Sequence, residues 1–571
     1  MSFRWVFAQP EDEDAVSLLR KELGVPDIIA RLLAIRGIST FETARSFFRP
    51  NIKDIYDPFL MKDMDKASCR VAKAVREGEK VVVYGDYDVD GTTATSIMYT
   101  FLKDFGCDVE YYIPHRFKEG YGVSPEGIDY AEEIGAGLII SVDCGITAFE
   151  ESLYAKEKAI DMVICDHHTV GETIPDALAV LDPKRPDCKY PFDGLSGAGV
   201  AFKLIQATLM KLGLQKEVAY KFLDLVAVSI ASDIVPIIDE NRILMREGLK
   251  ILNTNPRPGI KALMNLINLH PGKIGTSQIV FSIGPRINAA GRLGDATTAV
   301  ELQIAETDEE ANARAHELEA INIRRRQIDS DTMEKAMAIL DNEFDMDNDS
   351  SVVLHNPEWH LGVIGIVASR LVDKYCRPTI MLSTVDGMVK GSARSIKGFN
   401  IYNALKKCDD LLVQFGGHEY AAGLTLMADQ LDLFRERFNN IVLEQLDDED
   451  FKPELIIDTE LDLSKVDARF WKVLRQFEPY GPQNLKPIFV SHGLRVIGTP
   501  TIVGNGHLKL RVTQNGSAVF EAIGFNMHEF LPLVRTCKNG ELNMAYVLEE
   551  NTWNHRTTLQ MRIKDIQIDS D

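Results

Sequence analysis

Residues 81–91 read Val-Val-Val-Tyr-Gly-Asp-Tyr-Asp-Val-Asp-Gly: an apolar run of strand length enters a glycine and then three aspartates at alternate positions, Asp86, Asp88 and Asp90. The pattern is that of a buried strand ending in a curled loop whose carboxylates can converge. Three further apolar runs, LIISV at 138–142, MVIC at 162–165 and ALAVL at 177–181, have the same length and read as buried parallel strands. Helix-forming stretches at 92–104, 125–133 and 148–158 separate the first three. Strand–helix alternation of this kind predicts a doubly wound parallel sheet, in which ligands collect beyond the carboxyl ends of the strands. The second and third runs end there in Asp143-Cys144-Gly145 and Asp166-His167-His168.

These endings carry the chemistry. Carboxylates gathered at one sheet edge repel one another unless a divalent cation neutralises them, and imidazole nitrogen added to carboxylate oxygen suits Mn²⁺, Zn²⁺ or Fe better than calcium. The D-x-D-x-D-G pattern resembles part of a calcium loop but lacks its twelfth-position glutamate. A lone strand-end aspartate such as Asp143 is more often a helix cap than a ligand. The adjacent histidines can divide roles, one on metal and one on substrate, with Asp166 orienting a ring. Together the groups could hold two metal ions that activate water for attack on phosphorus. No P-loop and no G-x-S-x-G elbow accompanies them, which disfavours nucleotide-driven motors and serine hydrolases.

The rest of the chain divides by pattern. Its 571 residues exceed a single core, and 45% hydrophobic with 26% charged residues is ordinary globular composition. The expected organisation is an N-terminal segment at 1–60 packed against the first lobe, an α/β lobe at 61–240, a helical connector at 241–345, a smaller α/β lobe at 346–445 and a β-rich barrel at 450–571. A breaker-poor stretch at 308–340 predicts the long helix that joins the lobes. The net charge of −22 requires any polyanion to be held by metal ions or local basic sites. Residues 471–520 provide one, with Lys472, Arg475, Lys486, Arg495, Lys509 and Arg511 against Glu478 alone. Eight scattered cysteines, no apolar run of membrane-spanning length and no secretory start give the expectation of a cytoplasmic protein away from membranes.

VVVYGDYDVDGTTA, SVDCGI and VICDHH together resemble the DHH phosphoesterase superfamily, and GSARS (391–395) with FGGHEYAAG (415–423) resembles its associated DHHA1 domain. With GPRINAAGRLG at 284–294 and the OB-fold-like barrel, the pattern is most similar to the RecJ-type 5′→3′ single-stranded-DNA-specific exonucleases of that superfamily. The resemblance implies a metal-dependent exodeoxyribonuclease of DNA repair and recombination, with two Mn²⁺ or Mg²⁺ ions. Asp88, Asp90, Asp143, His167 and Asp233 would then be metal ligands, with Asp86 compensating for Tyr84, which stands where some members have a metal-binding histidine. His168 would face the scissile phosphate beside Asp166. Arg286, Gly391, Ser392 and Arg394 would receive a 5′ phosphate, and Arg370 and His418 would approach the cleft. Phe477, Tyr480, His507 and Phe525 are stacking candidates on the barrel, each with a core aromatic as the alternative. Single-stranded DNA is the implied partner of a monomer, with a helicase and a single-strand-binding protein as candidate protein partners. Two other readings remain open at this point: a small-substrate phosphodiesterase of the same superfamily, which would leave the barrel unexplained, and a non-catalytic DNA-binding scaffold, which would not need the full ligand set.

Overall fold

The computed structural model describes residues 3–345, 349–537, 541–553 and 556–568, and it divides into two compact units, Ile52–Phe451 and a second built from residues 1–51 with 452–571. The larger unit begins with a five-stranded, all-parallel sheet. Its order is Asp108–Tyr112, Lys80–Gly85, Leu138–Val142, Asp161–Cys165, Ala179–Leu181. Asp108–Tyr112, an edge strand with alternating exposed and buried residues, is the one the apolar runs did not reveal. The sheet alternates strictly: Val81, Val83, Ile140 and Val163 pack into one core, and Val82, Tyr84, Ile139 and Ile164 into the core on the opposite face. Strand order reverses between Lys80–Gly85 and Leu138–Val142, the topological switch point where such folds open a crevice. The loops carrying Asp86 to Asp90 and Asp143 leave the sheet there.

Helices cover this sheet and extend the unit. Gly197–Lys211 and Leu223–Ser232 are almost wholly buried, and a five-residue π-helix, Ile279–Ile283, leads directly into the helix Gly284–Leu293. The expected long helix spans Asp308–Glu343, 36 residues capped by the Thr307 hydroxyl, about 54 Å at the standard rise. Its first turns bury Ala311, Ala315 and Leu318 in the core of the first lobe, and its last turns bury Ala336 and Leu340 in a second core. That second lobe carries a five-stranded sheet, Leu412–Gly417, Ala421–Met427, Met388–Arg394, Thr379–Val385, Val352–His355, parallel only in the last pair. GSARS, whose glycine reads locally as a turn signal, is therefore strand through Arg394. Its backbone is fully paired on both sides, which no local turn signal could reveal.

The smaller unit is a closed barrel. Seven strands run in the order Thr459–Glu460, Phe489–Val496, Leu542–Trp553, Arg556–Ile568, Phe520–Gly524, His507–Thr513, Thr501–Val503. Phe489–Val496 also pairs with His507–Thr513, which closes the five strands from one to the other and leaves two short edge strands, Thr459–Glu460 and Thr501–Val503. The N-terminal segment corrects an expectation. Arg4–Phe7 pairs in parallel with Glu454–Ile457, and Val16, Leu19, Leu33 and Phe47 share one core with Phe477, Phe489 and Leu508 of the barrel. Only the residues from Ile52 on, such as Ile55 and Met61, pack into the first lobe. The pairing spans some 450 residues of sequence, so no local pattern announces it. Among the described residues no helix is long and apolar enough to cross a membrane.

Leu33 is fully buried in that shared core. Leu33→Ala is expected to cost about 2–5 kcal/mol and to lower the denaturant midpoint of the barrel unit. An unchanged midpoint would show that the N-terminal helices do not stabilise it.

Candidate metal centre and phosphate pocket

At the switch point the chain folds six acidic and imidazole groups into one crevice. Asp88 caps the helix Val89–Asp104, accepting the Gly91 N–H at 3.0 Å. Asp90, in the first turn of that helix, is held from the other side: it accepts the Gly197 and Ala198 N–H groups at 2.6 and 2.8 Å and the Ser229 hydroxyl at 2.7 Å. Asp143 sits in the left-handed region, φ 62°, with its N–H donated to the Cys165 carbonyl at 2.8 Å. That conformation is uncommon for a residue with a side chain and is retained where the surroundings enforce it. Gly197 is part of the enforcement, because a Cβ there would lie 2.6 Å from both Cβ and Oδ1 of Asp143.

Three sets of ligand atoms result, each gathered within 4.8 Å: Asp86, Asp88 and Asp143; Asp90, His167 and Asp233; and Asp143, His167 and His168. His167 Nε2 joins them, lying 3.1 Å from Asp143 Oδ1, 3.6 Å from Asp90 Oδ2 and 3.5 Å from Asp233 Oδ2. Burial first, then the neighbouring carboxylates, raise the pKa values of Asp86, Asp88 and Asp143, and push Asp233 to about 9. Burial, with His168 nearby, lowers His167 to about 4, so its ring is neutral and free to ligate. Asp86 Oδ1 is buried with no hydrogen-bond partner. An anionic set that is unfavourable when charged and that leaves a buried oxygen unpaired fits divalent cations, which would satisfy both.

His168 belongs to the third set and is oriented by Asp166. Asp166 accepts the N–H groups of Ile146, His167 and His168 at 2.8, 2.7 and 3.1 Å and the His168 ring nitrogen Nδ1 at 2.7 Å. Burial opposes charge on both, yet the pair holds Asp166 down at about 2 and lifts His168 to about 9. His168 is thus a cation at neutral pH whose side chain remains 38% exposed. The Tyr121 hydroxyl lies 3.2 Å from its ring nitrogens and 3.4 Å from the Asp143 carbonyl.

Opposite charge lies close by. Arg394 donates to the Ser392 hydroxyl at 2.8 Å, and both crowd Gly365, where a Cβ would lie 2.8 Å from each. Burial and then the neighbouring Arg116, Arg325 and Arg394 depress the Arg292 guanidinium to about 10; Arg394 is lowered by burial and Arg116. Arg116 stacks over the Tyr87 ring at 4.9 Å, and Arg292 donates to the Gly362 carbonyl at 3.3 Å. Guanidinium groups that destabilise one another while half buried make a site for a polyvalent anion.

Three family models match the chain: the DHH family N-terminal domain over residues 80–230, the DHHA1 domain over 348–444 and the RecJ OB domain over 457–565. The single-stranded-DNA-specific exonuclease RecJ of Bacillus subtilis is 37% identical over 99% of this chain and 71% of its own length. Its Escherichia coli counterpart is 35% identical over 95% and 96%. The chain belongs to the RecJ family. A crystal structure of Thermus thermophilus RecJ in complex with Mn²⁺ has a TM-score of 0.84 with 28% identity, covering all of this chain and 80% of that one. A crystal structure of an exonuclease RecJ bound to manganese, 35% identical, covers 68% of this chain and 96% of that one at a TM-score of 0.59.

In this RecJ chain the structure brings the expected candidate ligands together, Asp86, Asp88, Asp90, Asp143, His167 and Asp233, with Asp166 bonded to His168. The phosphate side is rearranged. Arg286 is engaged by Glu319 at 2.5 Å and by the Ser282 carbonyl, and Arg370 by Asp329 at 2.9 Å. Arg292 rather than Arg286 stands with Arg394. Gly391 faces away from Ser392 and Arg394, as strand alternation requires, and its missing side chain makes room for Leu382. His418 lies exposed in the hairpin that brings Tyr420 O to Ser395 N, at the Arg394 end of the sheet. Arg116, Arg292, Gly365 and Tyr121 were not singled out from sequence. Arg292 lay inside GPRINAAGRLG, whereas Arg116 and Tyr121 follow the edge strand that the apolar runs missed. On the barrel, Phe477 is core, edge-to-face with Phe47 and Phe48, and Tyr480 is half-buried against the same core. Of the four stacking candidates, His507 and Phe525 form an accessible aromatic pair, 5.0 Å apart with Phe525 half exposed.

Gly197→Ala tests the close approach to Asp143. The variant is expected to keep its helix content and to lose about tenfold or more in Mn²⁺ affinity, measured by calorimetry, because Asp143 must move. Unchanged affinity would show that the tight contact does not set the ligand geometry.

Proposed function

We propose that this chain is a single-stranded-DNA-specific exonuclease that hydrolyses phosphodiester bonds from the 5′ end of a strand. The observation that carries the reading is the pairing of a rim of acidic and imidazole groups with a cluster of half-buried arginines in one unit. Asp86, Asp88 and Asp143 would hold one ion and Asp90, His167 and Asp233 the other, with Asp143 close to both sets. Bound Mn²⁺ or Mg²⁺ supplies acidified water and neutralises charge developing on a phosphoryl oxygen. The chain's own groups do the rest.

Arg116, Arg292, Arg394 and Ser392 bind the terminal phosphate, which positions the first phosphodiester over the rim and makes a strand end the preferred substrate. His168, charged and oriented by Asp166, meets the scissile phosphate and holds a proton available to the departing oxygen. Asp166 is a positioning residue, because its oxygens are occupied by backbone N–H groups and the imidazole. Arg286, Arg370 and His418 line the approach rather than the phosphate pocket. The barrel, with the His507–Phe525 pair and its basic residues, grips the strand without regard to sequence. The protein acts as a monomer in DNA repair and recombination in the cytoplasm, where a helicase and a single-strand-binding protein are candidate sources of its single-stranded substrate.

One strand labelled separately at each end tests the reading. With Mn²⁺ and a 5′ phosphate, mononucleotides are expected from the 5′ label first; release from the 3′ label first, or no shortening, would overturn it. Asp143→Asn is expected to lower kcat by about 10³-fold or more. Arg394→Ala is expected to raise KM on 5′-phosphorylated strands by about ten- to a hundredfold while changing KM on 5′-hydroxyl strands little. Equal effects on the two ends would remove Arg394 from the phosphate pocket.

A further inference from the structure

Arg116 and Tyr121 sit on one segment, residues 113–123, between the edge strand Asp108–Tyr112 and the helix Pro125–Glu133. The segment touches the site at two points, Arg116 over Tyr87 and Tyr121 against His168, and it reaches the second lobe where Phe117 meets His360 edge-to-face at 5.4 Å. Phe117, Lys118 and Tyr121 are exposed, and apolar burial is confined to the ends of the segment, at Pro114 and Val123, leaving its middle without it. A buried polar network fixes it instead.

Tyr84 is the centre of that network. Its ring is fully buried, stacked on Tyr112 at 5.3 Å. Its hydroxyl donates to the Gly122 carbonyl at 3.0 Å, accepts the Ser124 N–H at 3.1 Å and lies 3.3 Å from the Ser124 hydroxyl. The Ser124 hydroxyl donates to Glu119 at 2.8 Å, the Tyr112 hydroxyl donates to Glu119 at 2.7 Å, and the other oxygen of Glu119 accepts the His115 N–H at 2.7 Å. The start, middle and end of the segment are thereby tied to the first two strands of the sheet. Tyr84 projects into the core on one face of that sheet, and its polar contacts are with Gly122 and Ser124.

We propose that Tyr84, with Glu119, is a positioning residue that locks the 113–123 segment so that Arg116 addresses the strand's terminal phosphate and Tyr121 addresses His168, and that it takes no part in holding metal. The role at the phosphate rests on the exonuclease reading above; the lock itself does not. A fully satisfied buried network is suited to this, because losing one member leaves its partners unpaired in a site water cannot easily reach.

Tyr84→Phe keeps the ring on Tyr112 and removes the hydroxyl; Glu119→Gln keeps the volume and removes the charge that gathers the three donors. In the full chain without DNA, each variant is expected to be cut by trypsin after Arg116 or Lys118 about fivefold faster than the parent. Mn²⁺ affinity, by calorimetry, stays within about twofold of the parent. On a 5′-phosphorylated strand KM rises about five- to tenfold, more than kcat falls, and the preference over a 5′-hydroxyl strand shrinks. Unchanged trypsin cleavage in both variants would overturn the lock. A tenfold loss of Mn²⁺ affinity with unchanged cleavage would place Tyr84 with the metal rim instead. Faster cleavage with an unchanged 5′-phosphate preference would overturn the link to Arg116. Should the parent fail to degrade single strands, the exonuclease reading falls, while the trypsin and Mn²⁺ measurements still decide the lock. Glu119→Gln carries the test if Tyr84→Phe does not fold.

Discussion

Mutual repulsion among buried carboxylates is the constraint on which this structure turns. Asp86, Asp88, Asp143 and Asp233 each resist ionisation because they are buried and because they face one another. Folding nevertheless drives them together, since the reversal of strand order delivers two loop ends to the same crevice and the buried Gly197–Lys211 helix presses its N-terminus against both. Asp90 is held to that N-terminus by two backbone N–H groups and a hydroxyl, so the crevice is rigid before any cation arrives. A preorganised anionic cage of this kind binds divalent ions without reorganising.

The arginines repeat the device with the sign reversed. Arg116, Arg292 and Arg394 come from three separate elements and depress or crowd one another rather than pairing with carboxylates. Other arginines in the same region, Arg286 and Arg370, are neutralised by Glu319 and Asp329 on the long helix. The contrast separates guanidinium groups kept available for an anion from those spent on holding the lobes to the helix. Gly365 shows how closely the parts are fitted, since even a methyl group there would strike both Arg394 and Ser392.

One helix makes the arrangement possible. Asp308–Glu343 contributes its first turns to the core of the first lobe and its last turns to the second, so the two sheets are fixed through a single rod. The segment 113–123 adds a polar tie between strand, His168 and the second lobe. Stability and substrate geometry thus depend on the same few connections.

The sequence by itself determined the parallel sheet, the long helix, the β-rich barrel and which acidic and imidazole residues would meet at one sheet edge. In each case the signal is local: an apolar run of strand length, a breaker-free stretch, or an acid or imidazole placed just beyond a strand end. Strand topology alone then brings Asp86, Asp143 and His167 to one edge. Only the tertiary structure decided that the N-terminal helices complete the barrel core, that GSARS is strand, and that Arg292 and Arg116 rather than Arg286 accompany Arg394. These depend on pairings with strands elsewhere in the chain, about 450 positions away for the N-terminal strand and within 40 for GSARS, and on which arginine meets a carboxylate first. A charge carries no mark in the sequence of whether the fold will neutralise it or leave it for a ligand.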